Sequence, residues 1–424
     1  MKKSKARPEE SPTSLARQEP AAKSEPSSSL EPLADTWPIV GVGASAGGLE
    51  AFAQLLGELP SDTGMAFVLI QHLDPTHPSL LAEVLTKATK MPVCQAEDGK
   101  SVEPDHVYVI PPNADIAILH GRLTLFPRNE EARKPHLPID FFFQALAADR
   151  GRHAIGVVLS GTASDGTEGL KAIKAADGIT FAQSPESAKF DGMPRSAVEA
   201  GVVDCSLPLP ALARELVRLS GHPYVAAGRT RRQKSDDSTR NKIFLLVRKC
   251  VGVDFSEYKA ATFDRRLVRR MVLRRAEDMQ QYLAILQKEP AEIQSLYEDA
   301  LIHVTSFFRD PEVFESLKTQ VFPEILRHKA EGAPVRMWVA GCATGEEVYS
   351  LAITLLEFMG DAYRSHAIQI FGSDLSEKAI VKARLGVYPD SALRDVSDER
   401  RRRYFSKADT GYRIHKTVRD LCVF

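Results

Sequence analysis

Apolar runs of strand length alternate with segments of helical apolar spacing from Trp37 onward, and this alternation restricts the chain more than any other feature. Trp37–Gly43, Met65–Ile70, Val107–Ile110, Ile116–Phe126, His153–Leu159 and Ile179–Ala182 read as strands. Leu49–Leu59, Ser79–Thr89, Ile139–Ala148, Gly166–Ala176 and Ser196–Ala200 read as helices. The pattern predicts an α/β unit over residues 37–220, doubly wound around a mostly parallel sheet. Residues 1–36 contain no aromatic, Val or Ile residue and are predicted to be a disordered tail. Residues 221–242 are polar and basic and predict a solvated linker. Residues 243–330 predict an all-α subdomain. Val335–Ala340 then starts a second α/β unit, over 331–424.

Composition excludes several classes. The 424 residues carry a net charge of −1 with 43% hydrophobic residues, a soluble globular balance that gives no global case for nucleic acid. Five scattered cysteines with no CxxC pair argue against a disulfide framework or a zinc site, and no metal is expected. No apolar run reaches the ~18–20 residues of a membrane span, and the start lacks a secretory pattern. A cytoplasmic protein, not embedded in a membrane, is expected.

Gly43-Ala44-Ser45-Ala46-Gly47-Gly48 lies where the first strand meets a helix. A serine there projects from the carboxyl edge of the sheet, and free N–H groups at the helix start can stabilise an oxyanion, that of Ala46 first. The glycine spacing also fits a dinucleotide phosphate loop. Such a loop calls for an acidic residue at the end of the next strand, but that strand ends in Gln71-His72. An imidazole there is what a serine nucleophile needs as general base. Asp165, in Leu159-Ser160-Gly161-Thr162-Ala163-Ser164-Asp165-Gly166 after a further buried strand, is the carboxylate that would orient it. Taken alone, Asp165 also fits a helix N-cap.

These residues, with Val107-Tyr108-Val109-Ile110-Pro111-Pro112 and Met193-Pro194-Arg195-Ser196-Ala197, resemble the catalytic domain of the chemotaxis protein-glutamate methylesterases over 37–220. The resemblance implies hydrolysis of glutamate γ-methyl esters on chemoreceptor cytoplasmic helices, often with deamidation of glutamines. It implies Ser45 as nucleophile, His72 as base, Asp165 as orienting acid, and Ala46 and Thr162 as oxyanion donors. Ala46 and Thr162-Ala163 depart from residues common in the family, and no receiver domain is expected in the short segment before Trp37.

Arginines paired four apart in Asp264–Arg275 predict one basic helix side, whose bland reading is a solvated face and whose alternatives are acidic receptor helices or RNA. Glycines in Gly341-Cys342-Ala343-Thr344-Gly345 would let backbone approach a nucleotide-like ligand, and Asp374 ends the next strand, where it can take ribose hydroxyls. With Thr305-Ser306-Phe307-Phe308-Arg309-Asp310, these motifs resemble the chemotaxis receptor methyltransferases over 243–424. That resemblance implies a Rossmann-like methyltransferase domain binding S-adenosylmethionine through Thr305, Arg309, Glu346, Asp374 and His303. It implies receptor contacts at Arg266, Arg269 and Arg270. The chain ends before the family's sheet is complete, so a truncated methyltransferase with little activity is expected. The alternatives are a non-catalytic receptor-binding adaptor and a nucleotide-binding oxidoreductase, the latter disfavoured by His72.

Overall fold

The computed structural model describes residues 37–72, 81–127, 136–222, 224–225, 237–256, 258–301, 305–327, 333–360, 366–409 and 411–424. The predicted tail and His303 lie outside them.

Residues from Ile39 to Ser220 build a seven-stranded sheet. Its strands are β1 (Ile39–Ala44), β2 (Ala66–Gln71), β3 (Val93–Gln95), β4 (Val107–Val109), β7 (Ala154–Val158), β8 (Ile179–Gln183) and β9 (Cys205–Leu207), with a separate hairpin of β5 (Ala114–Leu119) and β6 (Arg122–Pro127). The sheet order is β3-β4-β2-β1-β7-β8-β9, and every pairing is parallel. The helices are α1 (Gly48–Gly57), α2 (Leu81–Thr86), α3 (Pro138–Arg150), α4 (Thr167–Ala175), α5 (Gly192–Glu199) and α6 (Leu209–Ser220). Val40, Val42 and Phe67 pack with α1, α2 and α6 on one face. Ile39, Val68 and Val158 pack with α3, α4 and α5 on the other. Strands buried on both faces explain the continuous apolar runs in the sequence.

Two expectations change. Ile116–Phe126 is a hairpin rather than one strand, because His120 (φ 50°) and Gly121 (φ 74°) make a tight left-handed turn. The predicted linker is shorter at both ends. Tyr224 and Val225 are buried in the sheet's core, and α7 (Asp237–Val251) already begins the helical part.

Helices α7, α8 (Ala260–Leu273), α9 (Met279–Lys288) and α10 (Pro290–Ala300) share a core of Val247, Phe263, Leu267, Tyr282 and Leu296. Two short helices, α11 (Pro311–Ser316) and α12 (Phe322–Arg327), lead to β10 (Val335–Ala340), α13 (Glu346–Met359), β11 (Ile368–Ser373) and α14 (Glu377–Leu385). A small antiparallel sheet follows, of β12 (Val387–Tyr388), β13 (Phe405–Ala408) and β14 (Gly411–Ile414), with α15 (Asp398–Tyr404) between its first two strands. Past α16 (Lys416–Arg419), β15 (Cys422–Val423) returns parallel to β11 and makes β10-β11-β15. One face of this sheet packs on α13. The other is open, with Trp338 71% exposed. Among the described residues no helix is long and apolar enough to cross a membrane.

Candidate active site and cofactor site

Ser45, His72 and Asp165 lie just past the carboxyl ends of β1, β2 and β7, which are adjacent at the centre of the sheet. The chain passes from β1 to one side and returns on the other, so this is the topological switch point where open α/β sheets bind ligands. The turn after Ser45 needs glycine at position 47. Its φ is +73°, and a Cβ there would stand 2.8 Å from Ser160 Oγ. Ser45 N–H donates to the Ser160 carbonyl at 3.0 Å. Ser160 Oγ donates to the Ala46 carbonyl at 2.9 Å and accepts from Phe190 N–H at 3.0 Å. Ser160 thus braces the Ser45 turn, a role the sequence reading missed.

His72 Nδ1 is 3.1 Å from Ser45 Oγ, and its Nε2 is 2.9 Å from Asp165 Oδ2. Asp165 is buried, and three backbone N–H groups converge on it. Ile139 donates to Oδ2 at 3.1 Å, and Asp140 and Gly166 donate to Oδ1 at 2.9 Å each. With its oxygens accepting, Asp165 directs the imidazole hydrogen onto Nε2 and leaves the Nδ1 lone pair facing the Ser45 hydroxyl. Asp165 is a helix cap as well, but of α3 rather than of the helix that follows it. Gly166, in left-handed backbone, takes the cap position of α4.

The capping is reciprocal. Asp140, on the first turn of α3, accepts from Gly169 N–H on the first turn of α4 at 2.6 Å. The two helix N-termini therefore meet over two carboxyl groups, and both ends favour negative charge. Burial, then the neighbouring Asp165, push the Asp140 carboxyl well above its ordinary range. A raised folded-state value means the native state holds a proton that the unfolded chain releases. Asp140's contribution to stability is thus fully present below about pH 4 and is lost as pH rises through the folded value. We predict that Asp140→Asn unfolds at higher denaturant than wild type at pH 8, with the gap closing toward pH 4. Chemical denaturation across that range checks it, and a constant gap would contradict it.

Gly161 packs against Ser45. A Cβ on it would stand 3.0 Å from Ser45 Cβ and 2.1 Å from the Sδ of fully buried Met193. Ala46 is half-buried in the turn after Ser45, and Thr162 is exposed on the loop beside Gly161. His136, also missed in the sequence, has its ring 6.3 Å from that of His72 and its Nε2 2.7 Å from Asp115 Oδ1.

In the second half, Asp374 follows β11. Its Oδ2 accepts from Ala343 N–H and its Oδ1 from Ser376 N–H, both at 2.8 Å. The loop after β10 curls through left-handed Gly341, Ala343 and Gly345, and a Cβ on Gly341 would meet nothing within 4 Å. Ser350 Oγ ties the Phe307–Asp310 turn to α13 by accepting from Phe308 N–H at 2.9 Å. Tyr297 of α10 donates to the Leu375 carbonyl at 2.7 Å, bringing the helical subdomain to the same edge. Glu346, first residue of α13, is buried and accepts from Thr344 Oγ1 at 2.6 and 2.8 Å. Asp374 after β11 and Glu346 at the start of α13, on either side of an open glycine loop, fit a ligand with hydroxyl and cationic amino groups.

The arginines correct an expectation. Arg266 and Arg269 are 3% and 0% exposed, and Arg270 is nearly buried, so none is presented to a receptor. Arg266 donates to the carbonyls of Lys174 (2.7 Å) and Ala175 (2.9 Å) at the end of α4. Arg269 donates to the Gly178 carbonyl at 3.0 Å, to Asp299 at 2.6 Å and to Asp204. Lys174 completes that cluster, 3.4 Å from Asp204 and 3.3 Å from Asp299. Arg270 forks onto Glu292 of α10 at 2.9 and 2.6 Å. The helix is a joint between two parts of the chain, because its acidic partners lie elsewhere in the sequence.

Family models match separate parts of the chain. The CheB methylesterase family model matches residues 40–216. The models for the CheR methyltransferase all-alpha domain and SAM binding domain match 240–301 and 303–424. A putative protein-glutamate methylesterase/protein-glutamine glutaminase of Leptospira interrogans is 34% identical over 42% of this chain and 92% of its own. A protein-glutamate methylesterase/protein-glutamine glutaminase of Geobacillus kaustophilus is 36% identical, over 43% of this chain and 54% of its own. An uncharacterized 104.1 kDa protein of Rhodobacter capsulatus is 36% identical over 81% of this chain, which spans 38% of that relative's length. The crystal structure of the Thermotoga maritima CheB methylesterase catalytic domain superposes with a TM-score of 0.41 and 29% identity, covering 43% of this chain and 99% of that one. The chain belongs to the protein-glutamate methylesterase family, here fused to chemotaxis-type methyltransferase domains.

Proposed function

We propose that the first half hydrolyses glutamate γ-methyl esters on chemoreceptor helices by two-step acyl transfer. The observation that carries this is the run from Ser45 Oγ through His72 to Asp165, with contacts of 3.1 and 2.9 Å. Ser45 Oγ attacks the ester carbonyl while His72 Nδ1 takes its proton and returns it to the departing methanol. Water, activated by the same nitrogen, then releases the glutamate and frees Ser45. The N–H groups of Ala46, which follows Ser45, and of Thr162, which follows the Gly161 packed against Ser45, would hold the oxyanion. A glutamine side chain at the same carbonyl would lose ammonia instead of methanol.

The second half, in this reading, would hold S-adenosylmethionine at Thr305, Arg309, Glu346 and Asp374. The bound cofactor supplies an electrophilic methyl group. Asp374 would hold hydroxyls, Glu346 would take the cationic amino group and Arg309 would pair with the carboxylate. The test of the esterase reading is methanol release from methyl-labelled receptor membranes by the full chain. Release is expected, and none from folded protein would contradict the reading.

A further inference from the structure

The β5–β6 hairpin stands apart from the seven-stranded sheet, yet two of its side chains reach the surroundings of the triad. Asp115, on β5, accepts from His136 Nε2 at 2.7 Å. Phe126, on β6, meets Phe141 of α3 edge to face, with the ring centroids 5.7 Å apart. His136 lies just before α3, whose first turn gives the N–H groups of Ile139 and Asp140 to Asp165. The His136 ring also stands 6.3 Å from that of His72, inclined at 54°, within the range of aromatic contact.

The His72 side chain is 30% exposed, and β2 ends one residue before it. Its hydrogen bonds to Ser45 and Asp165 both lie at the edge of the ring. Such bonds hold the ring within its own plane and oppose tilting out of it only weakly, so that motion must be resisted by groups beside the ring. His136 is such a group. Asp115 fixes it as Asp165 fixes His72, by accepting at Nε2 and setting the ring hydrogen there. Placement of this kind matters to rate, because an error of about 1 Å at a reacting group can cost ~100-fold.

We propose that His136 is a positioning residue for ester hydrolysis, an imidazole that Asp115 anchors beside His72 so that the base stays aligned between Ser45 and Asp165. This rests on the reading of Ser45, His72 and Asp165 as the hydrolytic group. His136 forms no bond and moves no proton in the reaction. It acts only on the placement of His72, so its loss slows the chemical step and leaves binding of the ester unchanged. Asp115 and His136 act as a unit, since removing either leaves the supporting imidazole unanchored or absent.

The test is a double-mutant cycle on the full chain. It reads methanol release from methyl-labelled receptor membranes and the rate at which a fluorophosphonate labels Ser45. His136→Ala and Asp115→Ala should each lower kcat and the labelling rate about tenfold with KM unchanged, and the double variant should be no slower than either. Asp115→Asn, which keeps an acceptor for the Nε2 hydrogen, should retain most of the rate. The two side chains are 27% and 28% exposed, so these substitutions open no core, and thermal melting confirms folding. Wild-type kcat in either alanine variant, losses that multiply in the double variant, a change confined to KM, or a rate loss matched by loss of folded protein would overturn the role of His136 and leave the triad standing. A wild-type chain that neither releases methanol nor takes the label at Ser45 would overturn the triad and the proposal together.

Discussion

Ser45→Ala is expected to lower kcat for ester hydrolysis by about five to six orders of magnitude, the usual loss when a triad nucleophile is removed. The remaining donors at Ala46 and Thr162 would still bind the ester carbonyl, so KM should change little. Folding should be preserved. The backbone bonds of Ser45 to Ser160 and Gly48 do not depend on its hydroxyl, and the turn geometry is set by Gly47. Steady-state methanol release against receptor concentration separates the two parameters. A variant that kept wild-type kcat would show that another group attacks the ester.

The second large effect concerns stability. Arg269 is wholly buried between Asp204 and Asp299, from opposite sides of the joint. Burial alone pushes the Asp204 carboxyl up, but Arg269 and then Lys174 outweigh it and hold that carboxyl below its ordinary range. Removing the guanidinium leaves Lys174 facing two buried carboxylates. Breaking a buried pair from one side costs ~3–5 kcal/mol, so Arg269→Met should lose about that much in chemical denaturation at pH 7. For Asp204 the sign follows from its lowered value. Its contribution is present above about pH 4 and is lost as pH falls through the folded value. The cost of Arg269→Met should therefore shrink in acid. An unchanged midpoint at pH 7 would mean that the joint contributes nothing to stability.

That Ser45, His72 and Asp165 come together was legible because all three sit where local pattern ends. A buried strand gives way to a small-residue turn at Ser45, to Gln71-His72, and to the loop before Asp165. Strand periodicity places all three on one edge, and the parallel order β2-β1-β7 makes them neighbours. What surrounds them was not legible. Asp140 reads as an ordinary first-turn acid on α3, and its pairing with Asp165 depends on α3 and α4 meeting end to end. His136 and Ser160 act through residues far along the chain. The arginines of α8 show the same limit more sharply. Spacing of four reveals a shared helix side but not whether it meets water or carboxylates, and Asp204 lies 65 residues from Arg269.

The most direct test of the central claim is to treat the full chain with a serine-directed fluorophosphonate, digest it and locate the label by mass spectrometry while following methanol release. The account predicts phosphonylation of Ser45, loss of methanol release in proportion to labelling, and little labelling in His72→Ala. Methanol release that continues with Ser45 fully labelled, or a label on a different serine that abolishes it, would contradict the account.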